Sequence, residues 1–249
     1  MEKSFYDQGY GNDIDSEFAD NRLKKTKSVI RGIIRNNKIR RCLDIGCGTG
    51  YFSGFVKGLD PKIECVGIDI SKKAIGIARR NNPDAEFIEA DFSAWADAGN
   101  KFDLILSLES IEHIYDLDGY LAAIKASLAE GGTLVISTPN LNSWLNRILI
   151  LFGMIPYFQE YFFHDNVPIF SIGKRDFPAR SSVPSGHIRI LNSRVLAFIA
   201  KKCDWEIKRK YGAGLYANKP IFGKIDRIFS IFPSLASCII YVYGAKRKK

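Results

Sequence analysis

The stretch "CLDIGCGTGYFSG", residues 42 to 54, constrains this chain more than any other. An apolar run ends in the acid Asp44, glycines follow at 46, 48 and 50, and "YFSGFVKGL" then reads as the start of a helix. Glycine at alternate positions supplies backbone conformations closed to other residues and lets the main chain come close to whatever lies beside it. A strand, a tight glycine bend and a helix form the unit at which open α/β sheets bind ligands, outside the carboxyl ends of their strands. The spacing is not that of a dinucleotide-binding fingerprint: Gly46 and Gly48 are followed by Tyr51, and the offset pair Gly48 and Gly50 by Ser53, where G-x-G-x-x-G needs a third glycine.

The rest of the chain has the same grain. Strand-like runs at Arg41 to Ile45, Ile63 to Ile70, Glu86 to Asp91, Phe102 to Leu108 and Gly132 to Thr138 alternate with helix-like segments such as Ser71 to Arg80 and Leu117 to Ala129. That alternation predicts a parallel sheet covered on both faces. After Cys203 the order changes: "WEIKRKYG" and "SCIIYVYGAKR" read as two more strands with no strongly periodic crossover helix between them. With 249 residues and 46% hydrophobic content, the chain can bury the core of one domain spanning 1–249. The five cysteines include no C-x-x-C pair and suit buried thiols in a reducing compartment. The opening residues are polar and acidic rather than a basic head with an apolar stretch, so the expected location is cytoplasmic. A net charge of +9 favours anionic company, whether nucleic acid, phosphorylated metabolites or an acidic membrane surface.

From about Tyr6 to Lys246 the sequence resembles the class I S-adenosylmethionine (SAM) dependent methyltransferases. "LDIGCGTG" matches that family's first motif nearly letter for letter; "VGIDIS" ends a second strand in Asp69; "EADF" follows the third; and "LAEGGTLVISTPN" matches the approach to the fifth, with Glu130 where proline is common. The resemblance implies a Rossmann-like α/β fold whose seven-stranded sheet has an antiparallel last strand. It also implies a SAM site in which Gly46, Cys47 and Gly48 approach the methionine part and Asp44 orients the turn. Asp69, with Ile70, would take the ribose hydroxyls, Asp91 and Phe92 the adenine, and Ser107 or the Leu108 backbone the amino group. An N-terminal cap, residues 1–38 with Tyr6, Tyr10 and Arg22, would close over the cofactor. Asp69 and Asp91 also have plain structural readings, as a helix cap and a strand end; the four motifs in order, each meeting a different polar need of one cofactor, favour SAM.

The chemistry is expected after the fourth strand, in "SLESIEHIYDLD". Glu109, Glu112 and His113 stand at i, i+3 and i+4, on one face if the turn is helical, and the carboxylates would repel without a cation between them. Hard oxygens with an imidazole suit Mg²⁺ or Mn²⁺. With His187 the set resembles the E-x-x-E-H plus distant histidine of the small-RNA 3′-end 2′-O-methyltransferases, and "SLESIEH" is similar to the S-E-x-x-E-H of the ubiquinone-pathway O-methyltransferases; the resemblance implies a metal held by Glu109, Glu112, His113 and His187 that lowers the pKa of an acceptor hydroxyl. The other reading keeps His113 as a general base without metal, beside Glu112.

Residues 140–187 form an aromatic insertion too long for an idle connection. Its "WLNRILILFGMIPYF" and "YFQEYFFHD" read either as an apolar lid, implying an apolar or lipid-linked acceptor, or as a helix packed on the core or on a second subunit. The basic tail would then lie near an anionic membrane. Residues 228 to 245 are apolar for about a short membrane span, but Pro233 and the alternation in "SCIIYVYGAK" favour a strand. The expected activity is methyl transfer from SAM to a hydroxyl of a small or lipid-linked acceptor, such as a quinone precursor or a glycan sugar. The alternatives are an RNA 2′-hydroxyl, for which no RNA-binding module is evident, and a SAM- or NAD-binding partner subunit without transfer activity.

Overall fold

The computed structural model describes residues 19–95, 99–157, 168–172, 175–178, 186–214 and 220–245. A helix, α1 (Ala19–Asn36), precedes the β/α alternation of β1 (Arg41–Ile45), α2 (Tyr51–Leu59), β2 (Glu64–Asp69), α3 (Lys72–Asn81), β3 (Glu86–Glu89) and the short α4 (Phe92–Trp95). It continues through β4 (Phe102–Leu108), a 3₁₀ turn at Ile111–His113, α5 (Leu117–Ser127), β5 (Leu128–Pro139) and α6 (Trp144–Leu151). A two-stranded ribbon of β6 (Pro168–Ile172) and β7 (Arg175–Pro178) follows, then α7 (Ser193–Cys203), β8 (Trp205–Ala213), α8 (Pro220–Phe229) and β9 (Cys238–Ala245).

Seven strands form one sheet in the order β3-β2-β1-β4-β5-β9-β8. The β1 to β5 pairings are parallel, and β9 enters antiparallel between β5 and β8, as the resemblance implied. Both faces are buried, which explains why the strands are nearly continuous apolar runs. Along β9, Ile239, Tyr241 and Tyr243 pack with α5 and α7 residues such as Tyr120 and Leu196, while Ile240 and Val242 pack on the opposite side with Val29 and Ile30 of α1. β4 repeats the alternation, Ile105 to the first side and Leu104 and Leu106 to the second. All five cysteines are buried free thiols.

Local chemistry fixes the helix starts. Ser71 Oγ accepts from Ala74 N at 3.1 Å, Asp116 caps α5 through Gly119 N, and Asn192 Oδ1 accepts from both Arg194 N and Val195 N to start α7.

Three expectations need correcting. The third strand stops at Glu89, leaving Ala90 and Asp91 in the turn, because Asp91 caps α4: its carboxylate accepts from Ser93 N at 2.8 Å. The fifth strand begins early, at Leu128, directly after α5 ends at Ser127. Between β8 and β9 there is a helix after all, the ten residues of α8, where the sequence predicted none. Gly223 blurs its pattern, and its C-terminal end lies inside the apolar stretch read with the last strand. That stretch divides into a helix end, a turn holding Pro233 and β9. Among the described residues no helix is long and apolar enough to cross a membrane.

Candidate functional site

β1 and β4 are neighbours in the middle of the sheet, and their carboxyl ends face the turn between β1 and α2. Gly46, Gly48 and Gly50 hold φ of 70°, 53° and 80°, in the left-handed region that other residues occupy at a cost. The turn is pinned to β2: Gly46 N and Cys47 N both donate to Ile68 O, at 2.8 and 3.0 Å. Gly46 meets a second constraint from β4. A Cβ there would lie 2.4 Å from Ser110 Oγ, which donates to Ile45 O at 2.9 Å and thereby ties the loop after β4 to the end of β1.

Two acids brace this turn. Asp44 is buried and accepts from Ser53 Oγ at 2.7 Å, so the strand end and the first turn of α2 are clamped together. Burial pushes the Asp44 carboxyl up to about 6, against the hydrogen bonds from Ser53 and with a further upward push from the charge of Asp69. Asp69, at the end of β2, accepts from Gly48 N at 2.8 Å with one oxygen and from Ser71 N at 2.8 Å with the other. Its carboxylate is therefore oriented by the glycine turn on one side and the start of α3 on the other, and Ile70 sits between them. The helix cap itself is Ser71, and Asp69 supports that cap from two residues before it.

The neighbouring positions divide their duties differently from expectation. Asp91 is exposed at the head of α4. The Phe92 ring is in the core, edge-to-face with Tyr120 at 5.6 Å between centroids, so it is engaged in packing rather than laid over an open cleft. Ser107 is also committed inward: its Oγ and the buried Tyr120 hydroxyl share a hydrogen bond of 2.9 Å.

The loop after β4 separates the two glutamates. Glu109 takes a left-handed backbone, φ 53°, held by Glu109 N donating to Ser137 O at 2.9 Å. Only three residues, Ile111–His113, form the following turn, and they are 3₁₀ rather than α. The i, i+3, i+4 face presumed for Glu109, Glu112 and His113 therefore does not exist. Glu109 Oε2 pairs with Arg22 Nη1 at 2.5 Å, and its Oε1 accepts from Ser137 Oγ at 2.7 Å. The cation missing from the sequence reading is Arg22 of α1.

Glu112 turns the other way and is 1% exposed. Among the described residues neither of its oxygens has a hydrogen-bond partner; Thr138 lies beside the carboxyl without bonding geometry. Burial holds this carboxyl well above the usual carboxylate range, and the charge of Glu109 adds to the shift. His113 and His187 stand beside it: the three residues offer ligand atoms within 4.8 Å of one another, and the two imidazoles have centroids 4.9 Å apart. Glu109 is not in this group.

His187 reaches the cluster because the insertion closes on itself. Asn140, just past β5, bridges Leu191, and Leu141 N donates to Leu191 O at 2.8 Å, so both stems of the excursion meet at the sheet's carboxyl edge. The returning stem then docks on the loop after β4, with Ile188 N donating to Glu112 O at 3.0 Å. His113 Nδ1 lies 3.0 Å from Gly186 O. A carbonyl oxygen only accepts, so Nδ1 carries a proton, and in the neutral ring Nε2 is then the acceptor.

Several structural partners escaped the sequence reading. Ser53, Ser110, Ser137 and Gly186 were not given these roles; Ser53, Ser110 and Ser137 lie inside quoted motifs, but Ser137 meets Glu109 only through the sheet, and Gly186 meets His113 only through the closure of the insertion. The first part of that insertion is a helix packed at its start, where Trp144 of α6 stacks on Phe229 of α8 at 5.5 Å and its Nε1 donates to the buried Asp226 at 2.9 Å, and exposed beyond it at Ile150, Leu151 and Phe152. Tyr6, Tyr10, His164 and most of "YFQEYFFHD" lie outside the described residues.

Sheet order, inserted antiparallel strand and glycine turn between acid-bearing strand ends define a class I methyltransferase fold. A family model described as a methyltransferase domain matches residues 16–209, and the chain belongs to that family. Among curated relatives, the ubiquinone biosynthesis O-methyltransferase of Brucella ovis is 32% identical over 125 residues, 49% of this chain and 47% of that protein. The same enzyme from Sinorhizobium fredii is 35% identical over 106 residues, 40% of this chain and 41% of that protein. The matched part thus spans less than half of these relatives. Solved structures agree in fold at low identity. The N-methyltransferase NodS of Bradyrhizobium japonicum WM9, in complex with S-adenosyl-L-homocysteine, has a TM-score of 0.60 at 14% identity, covering 98% of this chain and 97% of its own. Magnesium protoporphyrin IX methyltransferase of Synechocystis PCC 6803, also with bound S-adenosyl-L-homocysteine, has a TM-score of 0.58 at 15% identity, covering 99% and 92%.

Proposed function

We propose that the protein methylates a hydroxyl of a small or lipid-linked acceptor, with the phenol of a quinone precursor as first candidate and a glycan sugar as second. The relatives named for ubiquinone biosynthesis support the quinone class. The observation that carries the reading is the His113–Glu112–His187 cluster at the carboxyl edge of the sheet, with Nδ1 of His113 directed to Gly186 O.

The residues present fit an adenosyl sulfonium: a left-handed glycine turn with oriented amides, an acceptor carboxylate at the end of β2, and a second exposed carboxylate, Asp91, after β3. When bound, SAM supplies the electrophilic methyl group. The protein's own part is placement and proton handling. Asp69 holds the cofactor's hydroxyls, Gly46 to Gly48 admit its amino-acid end, and His113 Nε2 takes the proton of the acceptor hydroxyl. Burial raises the Glu112 carboxyl and so favours its protonated form, from which it donates a hydrogen bond toward the acceptor oxygen.

A second reading rests on the two unpartnered oxygens of Glu112. One carboxylate and two imidazoles make a three-point set for a divalent ion, and with Glu109 engaged by Arg22 the set is poorer in oxygen than the four-residue group expected. That composition suits Mn²⁺ better than Mg²⁺, which prefers hard oxygens. In this arrangement Glu112, His113 and His187 would hold the ion, and it would lower the pKa of the acceptor hydroxyl.

Transfer of labelled methyl from SAM into polyprenyl catechols, lipid extract, soluble metabolites and total RNA tests the function. Label in the phenolic or lipid fraction is expected, and label confined to RNA overturns the acceptor class. Chelation separates the two mechanisms: turnover unchanged in EDTA leaves the base mechanism alone, and loss restored by Mn²⁺ establishes the metal.

A further inference from the structure

The outer surface of α8 and the turn after it carries apolar side chains with no described neighbour to cover them. Ile228 is 60% exposed, Ile231 72% and Phe232 56%. Monomeric surfaces seldom gather large apolar side chains in this way without a partner. The polar residues interleaved on the same outer surface are Lys224 and Arg227, both exposed. The single acid of α8, Asp226, points inward, where it accepts from Trp144 Nε1 and from Ser237 Oγ. Apolar and basic residues outside, with the acid turned in, is the composition of a helix that lies in a membrane interface.

Beside this strip is a cavity of about 370 Å³ between α1, the end of β8 and the end of α8. Lys24 and Lys25 of α1 and Arg227 of α8 line it, with Asn21 and Ser28 as further polar groups. Lys25 Nζ lies 5.0 Å from the centre of the Tyr211 ring, which holds it at this edge. Ile231 lines the cavity too, so the cationic recess and the apolar strip are one continuous feature. A phosphate in the recess would place the acyl chains of the same molecule against Ile228, Ile231 and Phe232.

We propose that this surface seats the protein on an anionic phospholipid bilayer, with the recess taking a headgroup phosphate and the apolar strip entering the acyl boundary. Charge complementarity selects the occupant: a second copy of this chain would bring Lys25 and Arg227 against their like, and a neutral apolar partner would leave the recess unused. The residues lining the recess include none of the glycine turn or of the histidine cluster, so its failure and that of the proposed chemistry are separate results.

The test is sedimentation of the full chain with vesicles of phosphatidylcholine alone and with vesicles of phosphatidylcholine mixed with phosphatidylglycerol, an anionic surface to which a nearby basic side chain contributes about 1 kcal/mol. The wild type is expected to bind the anionic vesicles and not the neutral ones. Lys25→Ala with Arg227→Ala should lower the partition coefficient on the order of 30-fold, since two contributions of about 1 kcal/mol each are removed. Ile231→Ser with Phe232→Ser should abolish sedimentation while leaving the melting temperature of the chain unchanged. Equal binding to neutral and anionic vesicles, or binding by both variants equal to wild type, overturns the proposal. So does a wild type that ignores vesicles and dimerises by light scattering in a manner broken by Ile231→Ser with Phe232→Ser.

Discussion

Replacing Gly46 with alanine tests the turn on which the cofactor reading depends. The φ of 70° costs a residue with a Cβ about 1–2 kcal/mol relative to glycine. The new methyl would also lie 2.4 Å from Ser110 Oγ, a separation that forces the hydroxyl away. Ser110 would then lose its bond to Ile45 O at 2.9 Å and its contact with Leu108 O at 3.1 Å, worth roughly 1–2 kcal/mol with a buried acceptor left unpaired. Together the two effects predict a loss of about 2–4 kcal/mol, or a melting temperature lower by roughly 4–16 °C in a chain of this size. Calorimetry should show S-adenosyl-L-homocysteine binding weakened by at least about tenfold, the equivalent of ~1.4 kcal/mol. The clash term is separable. Ser110→Ala removes the obstructing oxygen, so Gly46→Ala with Ser110→Ala should cost less than the sum of the single changes by about 1 kcal/mol, as expected of residues in contact. A Gly46→Ala chain as stable as wild type refutes the strain argument, and strict additivity of the pair refutes the clash.

Asp44→Asn should flatten the pH profile of stability. A carboxyl raised to about 6 in the fold keeps its proton where the unfolded chain has already lost one, so the wild type loses stability as pH rises from about 4 to about 6, by on the order of 3 kcal/mol. Urea midpoints across that range check it, and parallel curves for the two proteins sink it. Arg22→Met leaves Glu109 without its cation and should destabilise the docking of α1 by roughly 1–3 kcal/mol; the pair is partly exposed, which keeps the figure below that of a buried ion pair. Adding Glu109→Gln should recover part of the loss, and no recovery in a double-mutant cycle shows that the pair is idle. Glu112→Gln preserves the shape of a protonated acid and should retain most of the turnover under the base mechanism. Under the metal mechanism it should cost more than about 100-fold, beyond the range usual for groups that only support a ligand.

The expectations that held rest on signals carried within a few residues. The glycine bend, its preceding acid and the helix after it lie within thirteen residues, and each acts on its immediate neighbours, so the β1–α2 turn could be read directly. The same is true of Asp69 and Ser71, whose bonds to Ser71 N and Ala74 N span two and three residues. The glutamates after β4 are the contrary case. Their spacing suggested one face, but Glu109 adopts a left-handed backbone because β5 and α1 supply Ser137 and Arg22, residues 28 and 87 positions away. α8 escaped notice for a related reason: its inner face is defined by Trp144 from α6, and without that partner its apolar residues merge with those of the last strand.

By itself the sequence determined the alternating α/β grain, the glycine turn and the acids at the strand ends, because short-range sterics and hydrogen bonding dictate those features wherever the chain goes. Only the tertiary structure decided which glutamate meets a cation and which is buried, and that His187 stands beside His113. Strand order and the meeting of Asn140 with Leu191 bring together histidines 74 positions apart, a distance over which neighbouring side chains exert no local preference.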